Sequence, residues 1–235
     1  MTDIVPTPSP GEDARLFEVM STLRAMRRLK PDPVPEALLH KLVEAATQGP
    51  SGSNLQSYEF VVVTDREVMR RLAHLWDRCV TAYLASIGRV TPAAQDEAIR
   101  KALLYQRDHF AETPALIVAC YRSSRPSPDT ARRLLSSLSP TEALRLAGRI
   151  QRLGVLADAS SVYPGLQNVL LAARALGLGA VLTIWHLFLE HEWKRELGIP
   201  RDVQTLAVIP VGWPRGKFGP IKRRPAAEVI HRDRW

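Results

Sequence analysis

The chain has 235 residues, 46% of them hydrophobic and 24% charged, which is ordinary for a soluble globular protein of one large or two small domains. No stretch approaches the roughly 18–20 uncharged apolar residues that a membrane span requires, so we expect a cytoplasmic protein without a membrane partner. The formal charge of +8 would suit nucleic acid, but the arginines are interleaved with acids and no RNA-binding motif accompanies them. A solvated basic surface explains the charge better, and we expect no nucleic-acid partner.

The N-terminal part divides into a tail and a helix that ends in arginines. Residues 1–13 are rich in Pro, Thr, Ser and Asp, which predicts a flexible tail and no signal peptide. Residues 14–29 carry apolar side chains at helical spacing, with Arg24, Arg27 and Arg28 near the end. These arginines suit either a solvated helix end, where cations are favoured, or a site that binds an anion.

A turn-rich loop, GPSGSNLQ at 49–56, separates a predicted helix at 35–48 from a predicted strand at 58–64. The helix has apolar residues at helical spacing, and the strand is a β-branched run. Glycines and short polar side chains in the loop allow backbone amides to converge on a ligand. The alternative is an ordinary connection, because such clusters mark loops first.

The middle of the chain predicts two amphipathic helices, a central strand and a variable insert. The helices fall at 65–90 and 92–110, and the continuous apolar run at 115–121 is typical of a strand buried on both faces. Residues 123–153 combine loop chemistry in the first half with weak helical character in the second. We interpret this insert as a lid over an active site or a disordered surface excursion, and we expect it to influence substrate choice.

The C-terminal third begins with an interrupted helix. Apolar spacing predicts a helix at 155–176, but Pro164 and Gly165 interrupt it, so we expect a kink or a restart near Tyr163. The elements that follow are a strand at 180–185, a helix at 190–197, a strand at 206–211 and a tail at 214–235.

Cysteine and histidine positions predict neither a disulfide nor a metal site. Cys79 lies in a helical pattern and Cys120 at the end of an apolar strand, which indicates buried free thiols. His186 and His191 lie five residues apart, which is not the i, i+4 spacing of a helical zinc pair. We therefore expect no metal.

Blocks spread over most of the chain resemble the nitroreductase family of FMN enzymes, in that family's order: RAMRRLKPDPVP, GPSGSNLQSYEFVVV, LQNVLLAARALGLGAVLT, AVIPVGWP and IKRRPAAEVI. The resemblance implies an α+β fold over a single domain at 14–235. A central mixed or antiparallel sheet of four or five strands would be flanked by helices. It also implies an interlocked homodimer in which the tail at 214–235 contacts the partner subunit.

The same resemblance implies an FMN site. Its cofactor-binding residues would be Arg24, Ala25, Arg27, Pro50, Ser51, Gly52, Asn54, Gln56, Thr183, Ile184, Arg223 and Arg224. Arg27 would lie near flavin N1 and O2. The backbone of Thr183, Ile184 and Trp185 would lie near N5. Arg223 would reach the phosphate, with Arg224 as the alternative.

Three positions leave the site less defined. Ala25 replaces the family's usual Ser and so lacks a hydroxyl that would bind phosphate. Trp185 and His186 suit the lining of the pocket, and they suit the core or the surface equally well.

The implied function is that of an FMN-dependent oxidoreductase. It would pass electrons from NADPH or NADH through flavin N5 to a nitroaromatic or quinone-like acceptor by a ping-pong mechanism, with no side chain acting as acid, base or nucleophile. Two alternatives stay open. One is a flavoenzyme of the same fold with different chemistry, such as dehydrogenation, dehalogenation or flavin fragmentation, and the other is a non-catalytic flavin-binding protein.

Overall fold

The computed structural model describes residues 16–86, 93–122 and 128–235, which form a four-stranded antiparallel sheet in the order β1-β2-β4-β3 with helices packed on it. The strands are β1 (Tyr58–Val63), β2 (Ala115–Arg122), β3 (Gly179–Ala180) and β4 (Val203–Gly212). The α-helices within the described ranges are α1 (Leu16–Thr22), α2 (Glu36–Thr47), α3 (Arg66–Ser86), α4 (Ala93–Asp108), α5 (Pro128–Ser136), α6 (Pro140–Ala175) and α7 (Glu190–Glu196). The predicted α+β class with a central sheet is confirmed.

Strand β2 lies in the middle of the sheet, as its continuous apolar run predicts. It pairs with β1 on one side, where Tyr58 lies opposite Tyr121, and with β4 on the other, where Ala115 lies opposite Val211. All of its residues except Arg122 are buried. The strand is apolar on both faces because helices cover both faces of the sheet.

Successive side chains of β2 point to opposite faces and build two separate cores. Ile117 packs on one face with Leu42 of α2 and Leu166 of α6, and all three are fully buried. Leu116 packs on the other face in a second core that includes Trp76 of α3. We refer to these as the α6 core and the α3 core.

A chain of three polar residues lies beside the α3 core, with His186 and Thr205 buried and Glu190 half-buried. Glu190 Oε1 accepts hydrogen bonds from the backbone N–H of Thr205 (2.9 Å) and from its hydroxyl (3.1 Å). The same hydroxyl oxygen lies 3.0 Å from Nε2 of His186, so that nitrogen carries the proton and donates. Burial lowers the pKa of His186 to about 3, which keeps the imidazole neutral at physiological pH.

The N-terminal helix is shorter than predicted. Helix α1 ends at Thr22, and the chain from Met26 to Lys30 instead runs beside the sheet. Met26 N–H donates to the carbonyl of Ala180 (3.0 Å), and Lys30 N–H donates to that of Trp213 (2.7 Å). The prediction of a helix to residue 29 was wrong because these tertiary hydrogen bonds outweigh local helical spacing.

Helix α6 is longer than predicted. It runs from Pro140 to Ala175 as one helix with Pro164 inside it, so a restart near Tyr163, one of the two expected alternatives, was wrong, and the other, a kink, stays a prediction. Gly165 has a packing role, because a Cβ built on it would lie 2.4 Å from the carbonyl oxygen of Ala46 at the end of α2. The missing side chain lets the two helices approach at that point.

Two other predicted elements differ from the structure. The strand expected at 180–185 is reduced to β3 and an isolated bridge between Thr183 and Val208, and Trp185 begins a short 3-10 helix. In the insert at 123–153, residues 123–127 lie outside the described residues, and α5 occupies part of the half that we expected to be loop. The role of the insert as a lid stays a prediction, and the tail at 1–13 also lies outside the described residues.

The cysteines are buried and free, as predicted. Desolvation raises the pKa of both the Cys79 and the Cys120 thiols to about 11, so neither is a reactive thiolate at neutral pH. Within residues 16–86, 93–122 and 128–235, no helix combines the length and apolar character needed to cross a membrane.

The close approach of α2 and α6 predicts a cost for Gly165→Ala. The added methyl would meet the Ala46 carbonyl, and we expect a loss of about 1–3 kcal/mol in the free energy of unfolding, despite the better helix propensity of alanine. Gly219→Ala is the control, since a Cβ there meets nothing within 4 Å and the change should stay within about 0.5 kcal/mol. Urea denaturation measures both, and equal stabilities would contradict this packing role.

His186 predicts a dependence of stability on pH. In the unfolded chain the imidazole takes a proton near its ordinary pKa of 6.5, whereas the folded protein keeps it neutral down to about pH 3. Stability is therefore lost as pH falls below the unfolded pKa, by up to about 1.4 kcal/mol per pH unit from this group. Urea midpoints at about pH 7 and pH 5 should fall more in the wild type than in His186→Gln, and the same fall in both proteins would exclude His186 as the cause.

Candidate active site

Three segments distant in sequence line one cavity of about 440 Å³, which we call the basic cavity. Its lining residues are Met20, Leu23, Arg24, Ala25, Arg27, Gln167, Leu170, Ala180, Val181, Leu182, Ile221 and Arg223. They come from α1 and the segment after it, from α6 and β3 with the residues that follow, and from the C-terminal tail. The cavity therefore lies on the side of the sheet that carries the α6 core.

Backbone hydrogen bonds bring these three segments together. The bond from Met26 N–H to the Ala180 carbonyl brings the segment that carries Arg24 and Arg27 against β3. Ile221 N–H donates to the carbonyl of Ser21 (3.1 Å), which brings the tail onto the end of α1. The walls of the cavity are thus set by main-chain geometry.

The basic cavity is positively charged and has an apolar wall. Arg24 and Arg223 are exposed and Arg27 is half-buried, and none of the described residues that line the cavity is acidic. Burial lowers the pKa of the Arg27 guanidinium from its ordinary value, and the neighbouring Tyr83 acts in the opposite direction. Leu170 and Leu182 belong to the apolar part of the lining. This combination suits a ligand with a flat apolar ring system and an anionic group.

The structure separates the two tail arginines that the sequence left as alternatives. Arg223 lines the basic cavity. Arg224 is not among the lining residues, and instead its Nη2 donates to the carbonyl of Glu228 (2.9 Å) while its Nε lies 3.5 Å from the Glu228 carboxylate. Ala25 lines the cavity and presents no hydroxyl to it.

The loop at 50–56, which we call the serine loop, lies elsewhere in the same chain. Ser51 and Gly52 line a second cavity of about 220 Å³ together with Asp158 and Ser161 of α6. Gly52 N–H donates to Ser161 Oγ and Gln56 N–H to Ser51 Oγ, both at 3.1 Å. Among the described residues, the serine loop contributes nothing to the lining of the basic cavity.

The serine loop is held in an unusual backbone conformation. Ser53, Asn54 and Gln56 have φ angles of 51°, 53° and 49°. These angles lie in the left-handed region, which residues other than glycine adopt uncommonly. Pro50 and Asn54 are exposed. Strained backbone of this kind persists where the surroundings impose it and is concentrated at functional sites.

The residues after β3 divide between cavity and core. Thr183 is buried, and its backbone N–H is already donated to the Val208 carbonyl (3.0 Å), whereas the Ile184 side chain is 44% exposed. The Trp185 ring stacks on Tyr83 with centroids 4.0 Å apart. Together with the burial of His186 in its polar chain, this favours the core over the pocket lining for the side chains of both Trp185 and His186.

Sequence reasoning missed part of the lining of the basic cavity. Gln167, Leu170, Leu182 and Ile221 line the cavity and lie within the blocks that resemble the family, but the sequence analysis assigned them no role in the site. Helical spacing separates a buried face from an exposed one, but it does not identify the residues of that face that border a cavity.

Comparisons with known proteins agree with this fold. The chain matches the sequence profile of the nitroreductase family over residues 22–213. It is 29% identical over 209 residues to a protein of Thermus thermophilus named NADH dehydrogenase, covering 88% of this chain and 90% of that protein.

Solved structures share the fold at lower sequence identity. A BluB-like flavoprotein from Clostridium difficile 630 superposes with a TM-score of 0.69 at 20% identity, covering 93% of this chain and 98% of that one. An oxidized iodotyrosine deiodinase bound to FMN and 3-iodo-L-tyrosine superposes with a TM-score of 0.66 at 19% identity, covering 94% and 100% of the two chains. The profile spans most of the chain, including Arg24, Arg27 and the serine loop, and the chain therefore belongs to the nitroreductase family.

Proposed function

We propose that this chain is an FMN-dependent oxidoreductase that takes electrons from NADH or NADPH and passes them to a nitroaromatic or quinone-like acceptor. The observation that carries the proposal is the basic cavity, in which Arg24, Arg27 and Arg223 border an apolar wall. Its chemistry suits a flavin mononucleotide, which combines a flat ring system with a phosphate. Family membership supports the cofactor, and the relative named NADH dehydrogenase supports the nicotinamide donor.

The donor groups of the cavity fit the two parts of FMN. Arg24 and Arg223 present exposed guanidinium groups, each of which offers several N–H donors in a planar fork that matches phosphate oxygens. Leu170, Val181 and Leu182 supply apolar surface for a ring. These residues would hold the cofactor, with the arginines compensating for the hydroxyl that Ala25 lacks.

Arg27 has a different role in this proposal. When bound, FMN supplies hydride acceptance at N5 and places negative charge on the pyrimidine side of its ring. Arg27 is half-buried, so its positive charge is screened less by water than that of a surface arginine and favours negative charge beside it. Because one open cavity would admit both donor and acceptor, we expect the two to bind in turn.

We further propose that two copies of the chain form the active unit. In the part of one chain that the structure describes, the serine loop contributes nothing to the lining of the basic cavity, so an interlocked dimer would let it serve the cavity of the partner subunit. Leu153 and Leu156 of α6 are 55% and 53% exposed, and Trp235 at the end of the tail is fully exposed. Exposed apolar side chains on α6 and the tail would be covered in such an interface.

A second chemistry on the same site is reductive dehalogenation. Its support is the structural likeness to the iodotyrosine deiodinase that holds FMN and 3-iodo-L-tyrosine. Both reactions need a reduced flavin, so they differ in the acceptor alone. Acceptor turnover with a nitroaromatic, a quinone and a halogenated phenol separates them.

The proposal predicts a yellow protein that nicotinamide bleaches. Purified protein loaded with FMN should show a flavin absorption spectrum, and anaerobic NADPH or NADH should remove its visible bands. Re-oxidation by a quinone or nitroaromatic would complete the cycle. Bound flavin that stays oxidised with both donors would contradict the oxidoreductase and favour a flavin-binding protein without turnover.

The phosphate assignment predicts a large loss of FMN affinity in the double variant Arg24→Ala with Arg223→Ala. Removing two charge-assisted contacts should raise the Kd for FMN at least about 100-fold. Arg224→Ala is the matched control, because Arg224 lies in the same segment but pairs with Glu228, and its Kd should change less than about threefold. Fluorescence titration of apoprotein with FMN measures each, and stoichiometric FMN in the purified double variant would exclude these two residues as the phosphate site.

A further inference from the structure

A buried arginine outside the basic cavity contacts two of the three segments that form it. Arg174 lies in the last turn of α6 and is only 7% exposed. It is not among the residues that line the cavity. A buried guanidinium is costly unless it is paired, so its contacts indicate why it is there.

The first contacts of Arg174 are with α1. Its Nε–H donates to the hydroxyl oxygen of Thr22 (2.9 Å), and its Nη2 lies 3.9 Å from Oε1 of Glu18. Thr22 is the last residue of α1 and precedes Arg24 by two positions. Arg174 thus holds the end of the helix from which Arg24 extends.

The other contact of Arg174 is with the C-terminal tail. Its Cζ atom lies 4.2 Å from the centre of the Phe218 ring, in the range of a cation–π contact, which is stronger when shielded from water. Phe218 precedes Arg223 by five residues. Because Ile221 N–H also donates to the Ser21 carbonyl, the tail and the end of α1 are joined to each other as well as to Arg174.

We propose that Arg174 is a positioning residue for Arg24 and Arg223, the pair assigned to the FMN phosphate, which we call the phosphate grip. Arg174 sets the separation of these two arginines through Thr22 on one side and Phe218 on the other. The inference rests on the proposed function, because it assigns those two arginines to the FMN phosphate. Both are exposed side chains on segments with little regular structure. Charge-assisted hydrogen bonds to phosphate require each guanidinium to lie within a fraction of an ångström of its productive position. A buried anchor shared by both segments meets that requirement.

This role predicts a change in the preference for FMN over riboflavin, which a general loss of stability does not predict. Riboflavin has the same ring system as FMN but no phosphate. If Arg174 acts through Arg24 and Arg223, its loss weakens FMN and leaves riboflavin nearly unchanged. A residue that only stabilises the fold would weaken both flavins together.

The experiment compares FMN and riboflavin binding to apoprotein by fluorescence titration, in the wild type and in Arg174→Met, Thr22→Val and Phe218→Leu. We expect Arg174→Met to raise the Kd for FMN by about tenfold or more, with the Kd for riboflavin within about threefold. Thr22→Val and Phe218→Leu remove one partner each and should lower the FMN preference by a smaller factor. Arg145→Met, an exposed arginine of the same helix, is the control and should preserve the preference.

The outcomes separate this inference from the proposed function. Circular dichroism reports whether each variant folds, and if Arg174→Met does not, the two partner variants decide the matter. A wild type that prefers FMN, with folded variants that keep the full preference or lose both flavins equally, would overturn the role of Arg174 alone. A wild type that binds both flavins equally would overturn the assignment of Arg24 and Arg223 to the FMN phosphate. A wild type that binds neither flavin would overturn the flavin function and this inference together.

Discussion

The main-chain pairing of residues 26–30 with the end of the sheet is the constraint on which the rest of the site depends. Met26 pairs with Ala180 and Lys30 with Trp213, so this segment lies beside β3 and the end of β4 as an irregular extension of the sheet. Such an approach needs a small residue opposite, because a Cβ on Gly179 would lie 3.0 Å from Cβ of Met26. Backbone contacts therefore fix where the arginines of this segment leave the main chain. The main chain there is stiffer than the arginine side chains.

The sheet also separates the α3 core from the face that borders the basic cavity. The α3 core is dense in aromatic rings, with Trp76 stacked on Phe110 and Trp185 stacked on Tyr83, and it encloses the neutral His186. The other face carries α6, whose C-terminal half packs on the sheet and also borders the basic cavity. A close-packed core behind β2 and β4 supports the face that borders the basic cavity, while the arginines Arg24 and Arg223 stay exposed.

Positive charge in the basic cavity couples ligand binding to stability. Arg24, Arg27 and Arg223 line one cavity whose lining, among the residues that the structure describes, contains no acidic side chain, and like charges at such a site repel one another. A bound anion relieves that repulsion, so the ligand stabilises the folded state by the free energy of its own binding. Arg174 has the opposite arrangement, because Glu18, Thr22 and Phe218 accompany it inside the protein.

The sequence by itself determined the class of the fold, the central strand, most of the helices and the family. Those features depend on local periodicity and on short motifs, which can be recognised within a single stretch of sequence.

Only the tertiary structure decided that α1 ends at Thr22, because hydrogen bonds to β3 compete with the helix at that point. It also decided that α6 continues through Pro164, since the packing of Gly165 on α2 supports a helix that local preference would interrupt. The separation of Arg223 from Arg224, and the contacts of Arg174 with two distant segments, depend on which chain segments meet in space, and spacing along a single sequence does not record that.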